Sequence, residues 1–399
     1  MSAAMKISRP IKKDTLLTVA GRDPAANHGI VNPPVYHVST VLFPTMDEFL
    51  HRDSLPHIGT QYGRTGGPTQ FAFEEAVTAM HEGHKSIAVP SGLAAINLAM
   101  FAFLEAGDHV LVADTVYGPT RGRVCDTNMK RAGVEVTYYD PLIGAGIAGL
   151  IRPETKVVYM ESPGSHTFEM QDMPAIADAA RKAGVLSMAD NTWSSAYYCQ
   201  PLKLGVDIVV EASTKYVVGH ADAMLGTVTT ATEEHFKEVK LRANGLGYHA
   251  APDDCYLGLR GLRTLSVRME RHQKNGLRVA EWLKGRPEVS QVMYPALESD
   301  PGHAIWKRDH QGASSLFGVV LKGASMDQVA AMLDGMELFG MGASWGGFES
   351  LMIPTFPEKM RTANPWAADG PTVRLHIGLE DPDDVIADLE AGLRRIASA

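Results

Sequence analysis

Short apolar runs alternate with helical stretches between residues 70 and 230, and this alternation limits the possible folds of the chain. Six runs of strand length occur, at residues 86–90, 107–114, 134–139, 156–161, 185–189 and 206–210. Stretches with the helical period of about 3.6 residues separate several of them, for example residues 70–82 and 173–183. Parallel strands covered by helices on both faces have this pattern. The sequence therefore predicts an α/β fold with a mostly parallel, doubly wound sheet.

The flanking segments have a different character, and we predict three parts from them. Residues 1–66 are rich in proline and glycine, and we expect an irregular N-terminal arm that is too irregular to pack alone. Such an arm crosses its own core or reaches a neighbouring subunit. Residues 67–260 form the predicted α/β domain. Residues 261–399 form a smaller α+β domain, which a long helix near 262–283 joins to the first.

Charge and composition exclude several classes of protein. The 399 residues include 45% hydrophobic and 21% charged residues, which is ordinary for a globular chain of one or two domains. A net charge of −9 argues against a nucleic-acid binder, because phosphate contacts need a basic surface. No run approaches the roughly 18 apolar residues of a membrane span, and the N-terminal residues lack the apolar core of a secretory signal. We therefore expect a cytoplasmic protein.

Cysteine and histidine spacing gives no sign of a metal or disulfide framework. Cys125, Cys199 and Cys255 are odd in number and widely spaced, which favours a reducing compartment. The sequence His81-Glu82-Gly83-His84 has the wrong spacing for a zinc-binding HExxH helix. We predict no metal site.

Lys215 stands out as a candidate functional residue. It follows the apolar run 206–210 and two hydroxyl residues, Ser213 and Thr214, which can donate to phosphate oxygens. Ligands of α/β sheets bind at the carboxyl ends of the strands, where this lysine is expected. An arbitrary lysine is usually a surface residue. Asp190, which ends the run 185–189, makes this one unusual, because a carboxylate there can pair with a cationic ring nitrogen such as that of pyridoxal phosphate.

Two further strand ends carry candidates for binding a planar, phosphorylated group. Ser91 precedes a helix that begins with Gly92 and Leu93, and the free N–H groups of a helix N-terminus attract phosphate. A helix cap without a ligand is the common alternative. Tyr117 lies just beyond the run 107–114, where an aromatic side chain can stack on a ring or simply border the core.

Two arginines have partners that the sequence leaves open. Arg64 and Tyr62 flank Gly63 in the arm, so both side chains can point toward one anion, although an exposed loop arginine is an equally simple interpretation. Arg374 lies on an apolar strand and needs a partner. That partner is either a substrate carboxylate, bound in bidentate fashion, or an internal Asp or Glu.

Residues 214–222, Thr-Lys-Tyr-Val-Val-Gly-His-Ala-Asp, resemble the cofactor-lysine motif of the Cys/Met-metabolism family of fold-type I pyridoxal-phosphate enzymes. The resemblance extends from about residue 15 to residue 396. It implies pyridoxal 5'-phosphate as the cofactor, a homotetramer built as a dimer of catalytic dimers, and a set of residue roles. Lys215 resembles the Schiff-base lysine, Asp190 the partner of the ring nitrogen, and Tyr117 the stacking residue. A phosphate cradle is implied for Gly92, Leu93 and Thr214, with Tyr62 and Arg64 of the neighbouring subunit, and a substrate-carboxylate site for Arg374 with Ser344.

The chain departs from the family pattern at two places. Ala212 stands where many members have serine, which leaves open whether Ser213 replaces that phosphate donor. Residues 244–254 match the family only loosely, and no substrate contact is assigned there.

Within the family, Trp345 in the segment 344–351 and the segment 374–381 resemble the β-lyases. The implied reaction is the α,β-elimination of L-cystathionine to homocysteine, pyruvate and ammonia, a step of methionine biosynthesis. Enzymes of γ-elimination or γ-replacement and broad cysteine-S-conjugate β-lyases remain alternatives. A regulator that binds a transcription factor is another class, which no added interaction domain supports. Pyruvate as the keto acid indicates β-elimination, and 2-oxobutyrate indicates the γ reaction.

Overall fold

Seven strands form the larger of two sheets in the computed structural model, which describes residues 9–52 and 59–398. Residues 1–8 and 53–58 of the predicted arm, and residue 399, lie outside the described residues. The strands follow one another in the order β1, β7, β6, β5, β4, β2, β3 across the sheet. They are β1 Lys85–Val89, β2 His109–Ala113, β3 Glu135–Tyr139, β4 Thr155–Glu161, β5 Leu186–Asp190, β6 Ile208–Glu211 and β7 Gly226–Thr230.

Strands β2 to β6 are parallel to one another, whereas β7 runs antiparallel to both β1 and β6. The predicted α/β fold with a mostly parallel sheet is therefore confirmed. All five residues of β2 are buried, as expected for a strand covered on both faces.

Twelve α-helices accompany the two sheets in the described residues. They are α1 Lys13–Val19, α2 Met46–His51, α3 Pro68–His81, α4 Gly92–Phe103, α5 Met173–Lys182, α6 Ser195–Tyr198, α7 Glu233–Leu246, α8 Pro252–Leu262, α9 Leu265–Lys284, α10 His303–Asp309, α11 Met326–Asp334 and α12 Pro382–Ser398. A wider π-helical segment, Thr120–Met129, follows β2. None of the described helices is long and apolar enough to cross a lipid bilayer.

Helices cover both faces of the larger sheet, as the side chains of β1 illustrate. Ile87 and Val89 pack into the same apolar cluster as α4, whereas the intervening Ala88 joins a second cluster that contains Phe73 and Val77 of α3. Since neighbouring residues of a strand point to opposite faces, α3 and α4 lie on opposite sides of the sheet.

The smaller sheet contains four antiparallel strands in the order β10, β11, β9, β8. They are β8 Val289–Met293, β9 Leu316–Leu321, β10 Leu351–Thr355 and β11 Thr372–His376. The long helix expected near 262–283 is present as α9, which α8 precedes. The domain boundary expected at residue 260 falls within α8 and stays a prediction.

Two strands were not predicted from the sequence. In β7 every residue is buried although three of the five are threonines, and their hydroxyls have polar partners, such as the Oγ of Ser86 at 2.8 Å from Thr229 Oγ1. The threonines of β7 therefore hid its burial from a prediction based on apolar runs. The other, β10, contains Pro354 and forms an edge of its sheet, where a missing N–H donor is tolerated.

Candidate active site

A cavity of about 340 Å³ lies where the carboxyl ends of β4, β5 and β6 meet the start of α4 and the strand β11. It brings together most of the residues that the sequence singled out. Its lining includes Gly92, Leu93, Tyr117, Asp190, Thr214, Lys215, Trp345 and Arg374. A cleft at the carboxyl edge of a parallel sheet is the usual place for a ligand in this kind of fold.

Lys215 is held in a tight turn that follows β6. Gly219 closes the turn by donating its N–H to the Lys215 carbonyl at 2.8 Å, with φ at +71°. Behind the turn, the buried Arg268 donates to the carbonyls of Tyr216 at 2.7 Å and Gly261 at 2.8 Å. A Cβ atom at Gly219 would lie 1.9 Å from Arg268 Nη1, so the turn requires glycine there. The backbone of Lys215 is thus fixed from the side opposite the cavity.

The amine of Lys215 is placed for acid-base chemistry. Nζ donates to Ser344 Oγ at 2.7 Å and lies 5.2 Å from the centre of the Trp345 ring. Burial, and then the positive charge of Arg374, lower the pKa of this amine to about 8, while Asp190 opposes the shift. An amine with such a pKa can accept and return a proton near neutral pH. Ser344 itself is not part of the cavity lining, but this hydrogen bond brings it to the lysine.

Asp190 and Glu161 form a pair of carboxyl groups at the cavity floor. They are directly opposite each other in the parallel register of β4 and β5, so both side chains point to the same face. Thr192 donates both its N–H, at 3.0 Å, and its hydroxyl, at 2.5 Å, to Asp190 Oδ1. Burial raises the pKa of Asp190 to about 6, against these two hydrogen bonds. Burial and then repulsion from Asp190 raise the pKa of Glu161 to about 8. The negative charge of the pair therefore belongs mainly to Asp190 near neutral pH.

Tyr117 follows the carboxyl end of β2 and lines the same cavity as Lys215. Its backbone N–H donates to Glu161 Oε2 at 2.6 Å, and its side chain lines the cavity while the residue stays 41% exposed. Burial raises the pKa of the phenol, whereas the charge of Arg374 opposes that shift. The phenol is therefore protonated at neutral pH.

Arg374 is a buried cation on β11, with 7% of its surface exposed. Nη2 donates to the carbonyls of Ala343 at 3.1 Å and Ser344 at 3.2 Å. Burial lowers the pKa of the guanidinium to about 10. Within residues 9–52 and 59–398 no ion pair joins it to an Asp or Glu, so the internal acid that the sequence left open is not there. A cation buried without a carboxylate in a cavity wall is suited to bind an anionic ligand.

The start of α4 supplies backbone donors to the cavity. Ser91 caps the helix by accepting from the N–H of Ala94 at 3.1 Å, and Gly92 and Leu93 occupy the first turn, whose N–H groups have no acceptor within the helix. A Cβ atom at Gly92 would lie 2.4 Å from the Cβ of Ala212. Thr214 borders the same region, with Oγ1 donating to the Leu225 carbonyl at 3.0 Å.

Besides Ser344, three predicted residues do not line the cavity. Ser213 is fully buried, with Oγ 3.3 Å from Thr227 Oγ1, so it does not replace the serine that is absent at Ala212. Tyr62 is 47% exposed on the arm, and Arg64 Nη1 donates to the Asn244 carbonyl at 2.6 Å. Neither residue of the arm reaches the cavity of its own chain.

Sequence reasoning missed several residues that the structure places in the cavity. Glu161 ends an apolar strand just as Asp190 does, and this parallel would have identified it. His166 lines the cavity with φ at +68°, an unusual conformation for a residue with a side chain, and burial lowers its pKa to about 4. No spacing rule would have found it.

Asp114, directly after β2, fastens the C-terminal part of the chain to the cavity rim. Its Oδ2 accepts from the N–H groups of Thr362 and Ala363 at 2.8 Å each, and from that of Asn364 at 3.2 Å. Arg361, almost fully buried, forms an ion pair with the same carboxylate at 3.3 Å. These contacts join the segment after β10 to the end of β2, one turn before Tyr117.

Among the described residues, no group of three or more His, Cys, Asp or Glu is arranged to hold a metal ion. The reactive groups that line the cavity are an amine, carboxyl groups, a phenol and a guanidinium, and the sequence predicts an organic cofactor beside them.

Comparison with known families addresses that cofactor. Residues 14–394 match the family model described as Cys/Met metabolism PLP-dependent enzyme. The chain belongs to this family. The family predicted from the lysine motif is thus confirmed, and pyridoxal phosphate (PLP) is its cofactor.

Individual relatives cover nearly the whole chain. Cystathionine beta-lyase MetC of Escherichia coli K12 is 40% identical over 96% of this chain and 99% of its own length. An L-alanine/L-glutamate racemase of Wolbachia pipientis wMel is 37% identical over 97% of this chain and 98% of its own. The crystal structure of a cystathionine gamma synthase from Xanthomonas oryzae, in complex with aminoacrylate and cysteine, superposes with a TM-score of 0.89 at 31% identity, covering 98% of this chain and 100% of that one.

The donor set of the cavity fits PLP at each of its polar ends. The first turn of α4, kept open by Gly92, suits a phosphate dianion. Asp190 is the carboxylate that a cationic ring nitrogen needs, and Lys215 is an amine with a lowered pKa that can react with an aldehyde. As a member of this family, the protein is a PLP-dependent carbon-sulfur lyase or synthase.

Proposed function

We propose that the protein catalyses the α,β-elimination of L-cystathionine. One water is consumed, and homocysteine, pyruvate and ammonia are formed. The observation that carries this proposal is the 40% identity, over almost the full length of both chains, with a protein named cystathionine beta-lyase. The chemistry of the cavity agrees with it, because elimination requires a base, a site for the α-carboxylate and an electron-withdrawing cofactor.

Bound PLP supplies an electron-withdrawing ring that acidifies the Cα–H bond of an amino acid. In the proposal, Lys215 and Asp190 would hold the cofactor ring, and Tyr117 would pack against it. The N–H groups of Gly92 and Leu93, with the Thr214 hydroxyl, hold its phosphate. The family resemblance implies these roles, and the presence of each of these residues in the cavity lining supports them.

Lys215 is the proposed base. Its amine takes the proton from Cα of the substrate and returns a proton to the sulfur as the Cβ–S bond breaks. Two features support this role, namely the lowered pKa of the amine and the hydrogen bond to Ser344, which directs Nζ toward the side of the cavity that contains Arg374.

Arg374 is the proposed site of the substrate α-carboxylate. Its guanidinium is anchored by two carbonyl groups and has N–H donors left for an anion. Ser344 and Trp345 border this end of the site, so they contact the substrate rather than the cofactor phosphate.

The arm residues Tyr62 and Arg64 are proposed to complete the phosphate site of a neighbouring subunit. Neither lines the cavity of its own chain, and among the described residues the Lys and Arg side chains of the lining are Lys215 and Arg374, which have other proposed roles. A cation from a neighbouring subunit would strengthen the phosphate site at the start of α4. The assembly that the family resemblance implies is a catalytic dimer, paired in turn into a homotetramer.

A γ-elimination or γ-replacement enzyme is the second candidate. The close structural match to a cystathionine gamma synthase supports it. Lys215, Asp190 and Tyr117 serve either reaction, since both begin with removal of the Cα proton. These residues therefore do not separate the two candidates.

The keto acid does separate them. Purified holoenzyme is incubated with L-cystathionine, and the product is identified by chromatography and by coupling to lactate dehydrogenase. The proposal expects pyruvate and homocysteine in equal amounts. Formation of 2-oxobutyrate with cysteine would replace the proposal with the γ reaction. In a parallel incubation with L-alanine, formation of D-alanine by an enzyme that gives no keto acid from L-cystathionine would indicate a racemase.

A further inference from the structure

Glu161 occupies a position that none of the proposed roles uses. It is the last residue of β4, lines the cavity, and lies opposite Asp190 in the sheet. A second acid beside the carboxylate assigned to the ring nitrogen is costly if both are charged, because burial and mutual repulsion then add. Its presence calls for a function that a neutral carboxyl can perform.

Both oxygens of Glu161 are engaged, each with a different part of the cavity wall. Oε2 accepts from the backbone N–H of Tyr117 at 2.6 Å. Oε1 lies 2.5 Å from Ser165 Oγ, in the loop that carries His166. The Ser165 hydroxyl donates to Oε1, so each oxygen of the carboxyl group accepts one hydrogen bond from the cavity wall.

From this arrangement we infer that Glu161 acts as an uncharged carboxyl that positions Tyr117 and leaves Asp190 as the single anion of the cavity floor. The inference rests on the proposed function of the cavity. Glu161 is thus a positioning residue that acts through the Tyr117 backbone and through the charge of Asp190.

The surroundings of Glu161 favour the neutral form. Asp190 faces it from β5 and repels a second negative charge, whereas the cations Lys215 and Arg374 act on Asp190 and Tyr117. The buried Tyr159, from its own strand, cannot supply a compensating charge. Glu161 and Asp190 each accept two hydrogen bonds, so repulsion between the two neighbouring carboxyl groups, rather than their hydrogen bonding, disfavours a second negative charge at Glu161.

Three variants separate the hydrogen bond that Glu161 accepts from Tyr117 from the charge of the Glu161 carboxyl group. Glu161→Gln keeps an acceptor for the Tyr117 N–H without a charge, Glu161→Ala removes both, and Glu154→Gln makes the same chemical change at an exposed site before β4. We expect Glu161→Ala to lower kcat by about tenfold or more, with a smaller change in KM, since a buried N–H loses its acceptor. Glu161→Gln should recover most of that loss, and Glu154→Gln should match the wild type.

A second readout needs neither cofactor nor turnover. With its pKa raised in the folded state, Glu161 binds a proton that the unfolded chain has released, so its contribution to stability is lost as pH rises toward 8 and above. Melting temperatures of the apoproteins are measured from pH 5 to pH 9. The melting temperature of Glu161→Gln relative to the wild type should rise with pH, whereas the melting temperature of Glu154→Gln relative to the wild type should not change with pH.

Either of two results would overturn the inference. If Glu161→Gln loses as much kcat as Glu161→Ala, the carboxyl group of Glu161 works as an anion. If the difference in melting temperature between Glu161→Gln and the wild type is independent of pH, Glu161 is not held neutral. Failure of the proposed reaction is recognised separately, since wild-type enzyme would then form 2-oxobutyrate or no keto acid while the apoprotein comparison remains readable.

Discussion

Lys215 Nζ lies 2.7 Å from Ser344 Oγ, although 129 positions separate the two residues in the chain. One belongs to the turn after β6 of the larger sheet, and the other to the loop that precedes β10 of the smaller sheet. The amine is therefore oriented by the part of the chain that also carries Arg374.

Replacing Lys215 by Ala should reduce turnover by several orders of magnitude, because both the base and the covalent anchor of the cofactor are lost. The visible absorbance of the bound cofactor should shift as well. Lys203→Ala serves as the control, since Lys203 forms only an exposed ion pair with Glu82. A Lys215→Ala enzyme with normal turnover would refute the assignment.

Replacing Arg374 by Ala should lower kcat/KM by about thirtyfold or more, mainly through KM, because a substrate carboxylate loses a buried cationic partner. Arg394→Ala is the matched control, as Arg394 pairs with Glu390 on the exposed side of α12. Steady-state kinetics with L-cystathionine measure the effect. An unchanged kcat/KM would remove Arg374 from the substrate site.

The lowered pKa of Lys215 predicts how capture of the cofactor depends on pH. The rate at which apoprotein binds the PLP aldehyde should rise with pH as the amine loses its proton, with a midpoint near pH 8. Arg374→Met keeps the site apolar but removes a positive charge, so the midpoint should move upward. Stopped-flow absorbance measures the rates, and a wild-type midpoint at the ordinary lysine pKa of 10.5 would contradict the prediction.

The close approach of Gly92 and Ala212 predicts a loss of cofactor affinity in Gly92→Ala. The added Cβ would lie 2.4 Å from that of Ala212, so the first turn of α4 has to move. We expect PLP to dissociate about tenfold more readily, as measured by fluorescence quenching of the apoprotein during titration. Gly245→Ala is the control, because a Cβ there meets nothing within 4 Å. Equal affinity in both variants would place the phosphate elsewhere.

Complementation tests the proposed role of the arm. Arg64→Ala and Lys215→Ala chains are each expected to be nearly inactive alone. If a site combines Lys215 of one subunit with Arg64 of another, mixed dimers contain one intact site, and refolding the two chains together should restore about a quarter of wild-type activity. No recovery in a mixture whose hybrid dimers are confirmed by mass spectrometry would confine Arg64 to its own subunit.

The sequence anticipated the parts of the site that follow from local rules. Lys215 and Asp190 were predicted because each follows a buried apolar run, and the carboxyl ends of parallel strands converge on one edge. Gly92 was predicted because a helix start after a strand binds anions. These features depend on few residues and on the parallel sheet, which apolar runs indicate well.

Other parts depend on tertiary contacts that no local pattern contains. Arg374 had two possible partners in the sequence, and only the fold shows that its described neighbours are carbonyl groups. Ser213 and Thr214 are adjacent hydroxyl residues, yet the turn directs Ser213 toward β7, a strand that its threonines concealed. The backbone contact of Glu161 with Tyr117 joins residues 44 positions apart, and spacing alone does not predict it.

The hydrogen bonds and the ion pair between Asp114 and residues 361–364 have a consequence for how substrate preference can change. The reacting amine lies in the turn after β6 of the larger sheet, and the proposed carboxylate site lies on β11 of the smaller sheet. The Asp114 carboxylate is one of the groups that join these two parts of the chain. We expect that altering these contacts would change the distance between Lys215 and Arg374 while both residues are kept. Divergence among enzymes of this architecture can therefore begin at a contact that takes no direct part in the reaction.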